Sequence, residues 1–212
     1  MTALFYRSVV KRAIDVVLSI GLLVILFPVI VAAGCAVRTF LGSPVFFRQR
    51  RPGRYGVPFE LVKFRTMKNA GIGRSGPASD AERLDAFGRF LRASSLDELP
   101  ELWNVLKGDM SLIGPRPLLT QYLERYTPRQ HRRHEVRPGI TGLAQVSGRN
   151  ALDWERKFEL DVDYVDRCSF ALDAGILALT VWRVIARQGI NQPGQATAEE
   201  FVGTAKREAS GI

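Results

Sequence analysis

The chain has 212 residues, with 30 Lys and Arg against 21 Asp and Glu, and a formal charge of +9 at pH 7. That length can bury a real core and favours one or two domains, with one preferred because no long linker divides the chain. The basic excess calls for an anionic partner: nucleic acid, an anionic lipid surface or a phosphorylated substrate. The two cysteines, Cys35 and Cys168, show no metal or redox spacing, which excludes a disulfide framework and fits a reduced, cytosol-facing protein.

The first element sets the solvent. From Val16 to Val37, "VVLSIGLLVILFPVIVAAGCAV" carries no charge, and as a helix it would be roughly 33 Å long, enough to cross a hydrocarbon core. A cleaved signal peptide is not expected, because no small-x-small site leads into a polar mature domain. Arg7, Lys11 and Arg12 precede the run, while Arg38, Arg48, Arg50, Arg51 and Arg54 follow it, so both flanks ask to be cytoplasmic. Pro28 lies inside, where it removes one helical hydrogen bond and crowds the carbonyl of Val24. A break there would leave two arms of roughly 18 Å each, and a helix that enters, bends at Pro28 and leaves on the same face satisfies both observations. An ordinary kinked spanning helix satisfies the proline equally well.

Next, "VFFRQRR" and "FELVKFRTM" read as two strands joined across "PGRYGVP". Alternation puts Lys63 and Arg65 on one face, either to hold a phosphate together or to lie solvated. Residues 68–80 read as a flexible loop, and a helix is expected from about Ala81 to Arg92, with Leu84, Phe87, Phe90 and Leu91 at helical spacing.

That helix delivers the chain to "SSLDELPELWNV", residues 94–105. Ser95 and Glu98 have capping-box spacing, and Pro100 is tolerated in a first helical turn. Asp97 and Glu98 are therefore expected beside a helix N-terminus, where negative charge is stabilised and stays ionised. Helix capping alone would account for both acids. Further on, Pro115 and Pro117 fix the backbone around Arg116, which suits bidentate phosphate recognition. The glycines of "RPGITGLAQVSGRN", beside Arg137 and Arg149, permit close approach to a ligand or simply make turns.

The basic stretch "PRQHRRHEVR" has no zinc-protease signature and reads as a solvated or headgroup-facing helix. Asp161 and Asp163 share the spacing of metal-binding acids in nucleotide-sugar transferases over only three residues, and surface charge accounts for them equally. The helix "FALDAGILALTVWRVIAR" is apolar with Trp182 and Arg183 near its end, as in a helix lying at a membrane interface or packed in a core. Thr197 and Glu200 have capping-box spacing, and the final residues read as poorly ordered.

The order of "KRAIDVV" before a proline-broken apolar segment, "FFRQRRPG", "KFRTM", "LRASSLDELPELWNVLKGDMSLIGPRP" and "RPGITGLAQVSGRN" resembles the bacterial sugar transferases, the monotopic polyprenyl-phosphate phosphoglycosyl transferases. The likeness runs over about residues 8 to 202, in the short form without additional spanning helices. It implies an α+β, mainly helical fold. Its parts would be a re-entrant anchor helix over 1–40 hinged at Pro28, a membrane-surface catalytic domain over 41–202 with interfacial amphipathic helices and a small β-hairpin, and a flexible tail over 203–212. It implies transfer of a sugar 1-phosphate from a UDP-sugar to undecaprenyl phosphate at the cytoplasmic face of a bacterial membrane, with release of UMP and use of Mg2+.

By the same resemblance Asp97 is the nucleophile and a metal ligand, and Glu98 assists in metal or proton handling. Lys63, Arg65, Arg92, Arg116 and Arg149 bind substrate phosphates. Membrane lipids and other glycan-assembly enzymes are the implied partners. Many relatives have Ser before the helix-breaking proline, where this chain has Phe27. A nucleic-acid-binding protein would explain the charge but not the apolar run, and no nucleic-acid module is recognisable. A membrane scaffold would explain the anchor but not the Asp-Glu and Pro-Arg-Pro passages.

Overall fold

A computed structural model describes residues 5–69, 82–148, 152–186 and 200–203. All but the first two residues of the loop expected over 68–80, together with Arg149, Thr197 and nearly all of the tail, lie outside the described residues. After a wide helical turn, Tyr6–Val10, helix α1 runs Lys11–Phe40 without interruption through Pro28. The expected break into two arms is therefore absent. Pro28 deprives the Val24 carbonyl of its partner, and the surrounding helical bonds carry the helix across that gap.

One stripe of α1 faces protein at its start and again near its end. Tyr6, Lys11, Asp15 and Ser19 are buried at its start and Ala33 and Val37 near its end, while Val17, Val24, Ile25, Phe27 and Val31 are exposed. Just 11% of its most apolar stretch is buried, so α1 is not the core helix of a soluble protein. Its start joins a core with Leu102, Val105, Met110, Tyr164 and Ile176, and its end packs with Phe64 and Leu91. Polar ties reinforce the first contact. Lys11 Nζ donates to Asp173 at 2.6 Å, Asp15 accepts from the Leu112 amide at 3.0 Å, and Arg12 donates to the carbonyls of Val105 and Leu106.

The hairpin is as expected: β1 (Phe46–Pro52) pairs antiparallel with β2 (Pro58–Phe64), Phe47 opposite Lys63. Its turn places Tyr55 and Gly56 at positive φ. The helix expected from about Ala81 is interrupted: Glu82 and Arg83 are helical, Leu84 and Asp85 are not, and helix α2 runs Ala86–Ala93, where the Asp85 carboxylate caps it by accepting from the Gly88 amide at 2.8 Å. Helix α3 is Glu101–Lys107, and Gly108 at φ 92° ends it.

A second, parallel pair, β3 (Ser111–Ile113) with β4 (Gly139–Thr141), was not anticipated. It explains the glycines of both loop passages. A Cβ at Gly139 would sit 2.1 Å from the Gly114 nitrogen, and one at Gly142 2.1 Å from the Gly114 carbonyl oxygen. The two backbones touch there, so these glycines serve chain-to-chain approach.

The short helices α4 (Pro128–His131) and α5 (Leu143–Ser147) precede the longer α6 (Trp154–Arg167) and α7 (Phe170–Ile185). Asp153 and Ser169 cap α6 and α7. Helix α7 exposes Phe170, Leu179, Val181 and Trp182 and buries Ile176, the distribution of a helix with one face on protein and the other suited to lipid. The whole is α+β, mainly helical, with two small sheets.

Candidate active site

The site is assembled by stitching α3 to the hairpin. Asn104 is fully buried; its Oδ1 accepts from the Val62 amide at 3.1 Å and its Nδ2 donates to the Glu60 carbonyl at 2.7 Å. The edge of β2 is thereby satisfied by a side chain instead of a third strand, and Lys63, the next residue, projects over the segment that precedes α3. Lys63 Nζ lies 2.8 Å from Glu98 Oε1 and 2.8 Å from Glu101 Oε1. The same Glu98 oxygen accepts from Arg116 Nη2 at 2.7 Å.

Asp97 and Glu98 do not occupy a capped α-helical turn. Ser95 is left-handed, with φ 57°, and its side chain makes no capping bond, so the expected capping box is not formed. The acids belong to a tight turn, Leu96–Glu98, whose i to i−3 bonds run into α3. Left-handed Ser95 turns the chain sharply between α2 and this turn, which delivers Asp97 and Glu98 to different surroundings.

Those surroundings set opposite electrostatics. Burial alone would raise the Glu98 carboxyl, but the Arg116 and Lys63 charges outweigh it and hold Glu98 well below the usual carboxylate range. Asp97, 8% exposed, is pushed up to about 6, first by burial and then by the Glu98 charge. Burial therefore opposes the ionisation of Asp97 that a helix N-terminus was expected to favour, although a group at about 6 is still largely a carboxylate near neutral pH. Glu101, 2% exposed, is pushed up to about 7, again by burial first. Among the described residues the Asp97 carboxylate has no hydrogen-bond or ion-pair partner.

Asp97 lies in a cleft of about 1630 Å³ whose polar part includes Lys63, Arg92 and Arg116. Leu22 and Leu26 of α1 and Leu177 and Val184 of α7 form an apolar wall of the same cleft. Arg92 donates from Nε to Thr66 Oγ1 at 3.0 Å. Of the predicted site, the structure thus brings together Asp97, Glu98, Lys63, Arg92 and Arg116. Arg65 lines the same cleft but is anchored at its edge: β2 ends at Phe64, and the Arg65 guanidinium donates to the carbonyls of Leu41 and Ser43 just beyond α1 and to the Asn69 side chain. Strand alternation does not extend past the strand.

Sequence reading missed Glu101, although its spacing of three and four residues from Glu98 and Asp97 places it within reach of the same cation. It also missed Arg133, which is buried against Asp161. Asp163 pairs instead with Arg167 at 3.0 Å on the surface, so the two acids of "DVD" share no site. Among the described residues no group of three or more His, Cys, Asp and Glu is placed to hold a metal. Magnesium is commonly bound through one or two carboxylates plus substrate phosphates, and the unpartnered Asp97 carboxylate fits that donor set.

An unpaired carboxylate set among three cations, in a cleft with apolar residues of α1 and α7 on one side, is suited to a substrate that carries phosphate. The bacterial sugar transferase profile matches residues 6–187. "Uncharacterized sugar transferase EpsL" of Bacillus subtilis (strain 168) is 53% identical over 92% of this chain and 97% of its own length. A "UDP-glucose:undecaprenyl-phosphate glucose-1-phosphate transferase" of Xanthomonas campestris pv. campestris is 39% identical over 86% of this chain and 40% of its own length. An "Undecaprenyl-phosphate galactose phosphotransferase" of Salmonella typhimurium (strain LT2) is 40% identical over 84% of this chain and 41% of its own length. The chain belongs to the bacterial sugar transferase family. It spans nearly all of the Bacillus relative and about two fifths of the other two.

Proposed function

We propose that this phosphoglycosyl transferase moves a sugar 1-phosphate from a UDP-sugar to undecaprenyl phosphate and releases UMP, through a phosphosugar ester on Asp97. The observation that carries the reading is the unpartnered Asp97 carboxylate among Lys63, Arg92 and Arg116. In the first step an Asp97 oxygen attacks the phosphorus that bears the sugar; the bond from that phosphorus to the bridging oxygen breaks and UMP leaves. In the second, an oxygen of the lipid phosphate attacks the same phosphorus, the aspartyl oxygen leaves, and Asp97 is restored as a carboxylate.

Each neighbour has work in that scheme. Arg116 and Lys63 face the charge that develops on the equatorial phosphoryl oxygens, and Arg92 extends the cationic floor. Glu98, already engaged by Lys63 and Arg116, orients those two cations and keeps Lys63 charged; it is not a second nucleophile. Arg149 is proposed on the resemblance alone. When bound, Mg2+ would neutralise donor diphosphate charge and so permit approach of an anionic nucleophile; Asp97 would hold it together with the donor phosphates. Arg65, held by the carbonyls of Leu41 and Ser43, lines the same cleft and stays a proposed contact for substrate phosphate.

The same proposal covers location. The start and the end of α1 each pack against the rest of the protein, which favours both lying on one side of a bilayer. That supports a monotopic anchor at the cytoplasmic face of a bacterial membrane, with Pro28 the weakest point of the helix. The apolar cleft wall then admits a prenyl chain from the lipid. The product is a membrane-bound sugar diphosphate that other glycan-assembly enzymes must extend, as the first membrane step of a capsule, exopolysaccharide, O-antigen or glycoprotein glycan. Purified protein with undecaprenyl phosphate, Mg2+ and UDP-glucose, UDP-galactose or their N-acetylated counterparts should release UMP. Release of UDP, or of no nucleotide, would refute the proposal.

A further inference from the structure

The Pro115–Arg116–Pro117 segment presents Arg116 to the site, yet both prolines lack an N–H, so it cannot be fixed through a ladder of its own donors. It is fixed through its acceptors. The Pro115 carbonyl accepts from the Gly139 amide at 3.0 Å, the Arg116 carbonyl from Arg133 Nη2 at 2.8 Å, and the Pro117 carbonyl from Arg51 Nη1 at 3.3 Å. The middle bond holds the backbone of the very residue whose guanidinium meets Glu98.

Arg133 is itself rigidly placed. It is 3% exposed, and its Nε and Nη2 donate to Asp161 Oδ2 at 3.0 and 2.7 Å. Its Nη1 donates to the Tyr126 hydroxyl at 3.2 Å, and its guanidinium carbon lies 5.7 and 5.6 Å from the ring centroids of Tyr126 and Phe158. Asp161, 4% exposed, sits in the middle of α6. A buried ion pair is poor value as a stability device, because desolvation offsets much of its attraction. It does hold a planar donor fork in one orientation. Among the described residues neither Arg133 nor Asp161 is hydrogen-bonded to Asp97 or Glu98.

We propose that Arg133 and Asp161 are positioning residues for the phosphoryl transfer: Asp161 orients Arg133, and Arg133 pins the Arg116 carbonyl so that the Arg116 guanidinium stands at a fixed place over Glu98 and the donor diphosphate. The proposal rests on the reading of Arg116 given above. It makes α6, a helix that supplies no reacting group, part of the catalytic machinery, because small misplacement of a charge-stabilising group costs rate steeply.

A double-mutant cycle on the full chain in detergent tests it, using the best wild-type donor among UDP-glucose, UDP-galactose and their N-acetylated counterparts. Arg133→Lys keeps a cation beside Asp161 but loses the fork, and should lower kcat about tenfold with KM for the donor changed less than about twofold. In an Arg116→Lys background the same substitution should lower kcat by less than about twofold, since what it positions is already gone. Asp161→Asn should behave likewise, and it serves if Arg133→Lys does not fold. Thermal melting separates stability from rate. Additive losses in kcat, or failure of both variants to yield folded protein, would overturn the positioning role. Absence of UMP release by wild-type protein would instead overturn the functional reading on which it rests.

Discussion

Asp97→Asn removes a carboxylate whose ionisation the fold opposes, and it should stabilise the protein while it abolishes turnover. Asp97 rises from 3.8 to about 6 on folding. At about 1.4 kcal/mol per pH unit between those values, holding it ionised costs roughly 3 kcal/mol. The sign follows from the direction. Between pH 3.8 and about 6 the folded state binds more protons than the unfolded one, so stability falls as pH rises through that window and stays low above it.

Asparagine has no such cost. The variant should exceed wild type by roughly 3 kcal/mol at pH 8, about half that at pH 5, and nothing below the unfolded value. For a domain of this size that is a gain of roughly 6–12 °C in melting temperature at pH 8. Melts of both proteins in one detergent, with a chelator to keep Asp97 metal-free, measure it. Glu98→Gln runs the other way, because a depressed carboxyl contributes stability above its unfolded value of 4.5 that is lost as pH falls. An Asp97→Asn protein no more stable than wild type at pH 8, or a gain that does not change with pH, would refute this reasoning.

Three further outcomes are expected. Arg116→Lys keeps the charge but loses the fork, so kcat should fall about a hundredfold while the melting temperature stays within about 3 °C of wild type. Arg65→Gln breaks the carbonyl contacts beyond α1 and removes a cation from the cleft lining; it should lower thermal stability and also kcat per folded molecule, by about threefold or more. With Cys35 and Cys168 replaced, single cysteines at Phe5 and Arg48 should both be protected from an impermeant reagent in intact cells. Labelling of one alone would show that α1 spans.

How much of this was readable in the sequence varied with the range of the interaction responsible. The hairpin was legible because alternation and a Gly-Pro turn are local. The anchoring of Arg65 was not legible because it depends on where β2 stops and on Leu41, far away in the chain. Ser95 looked like a cap by type and spacing, but it is left-handed at the junction where α2 meets the acidic turn, which type and spacing do not show. Pro28 marked a missing hydrogen bond correctly, and the helix tolerates it. The acids were found by position, whereas their divergent ionisation required knowing that Arg116 and Lys63 converge on Glu98 and leave Asp97 unpaired. The glycine passages were noticed for flexibility, and the parallel pairing that makes them compulsory was invisible across the residues that separate them.

The covalent role of Asp97 is the central claim, and one measurement tests it most directly. Wild-type protein mixed with its UDP-sugar donor and Mg2+, without undecaprenyl phosphate, should release UMP in a burst limited by enzyme concentration. Mass spectrometry of the quenched protein should place one phosphosugar on Asp97, and undecaprenyl phosphate should discharge it. An adduct mapped to Glu98, or steady turnover by Asp97→Asn, would contradict the account.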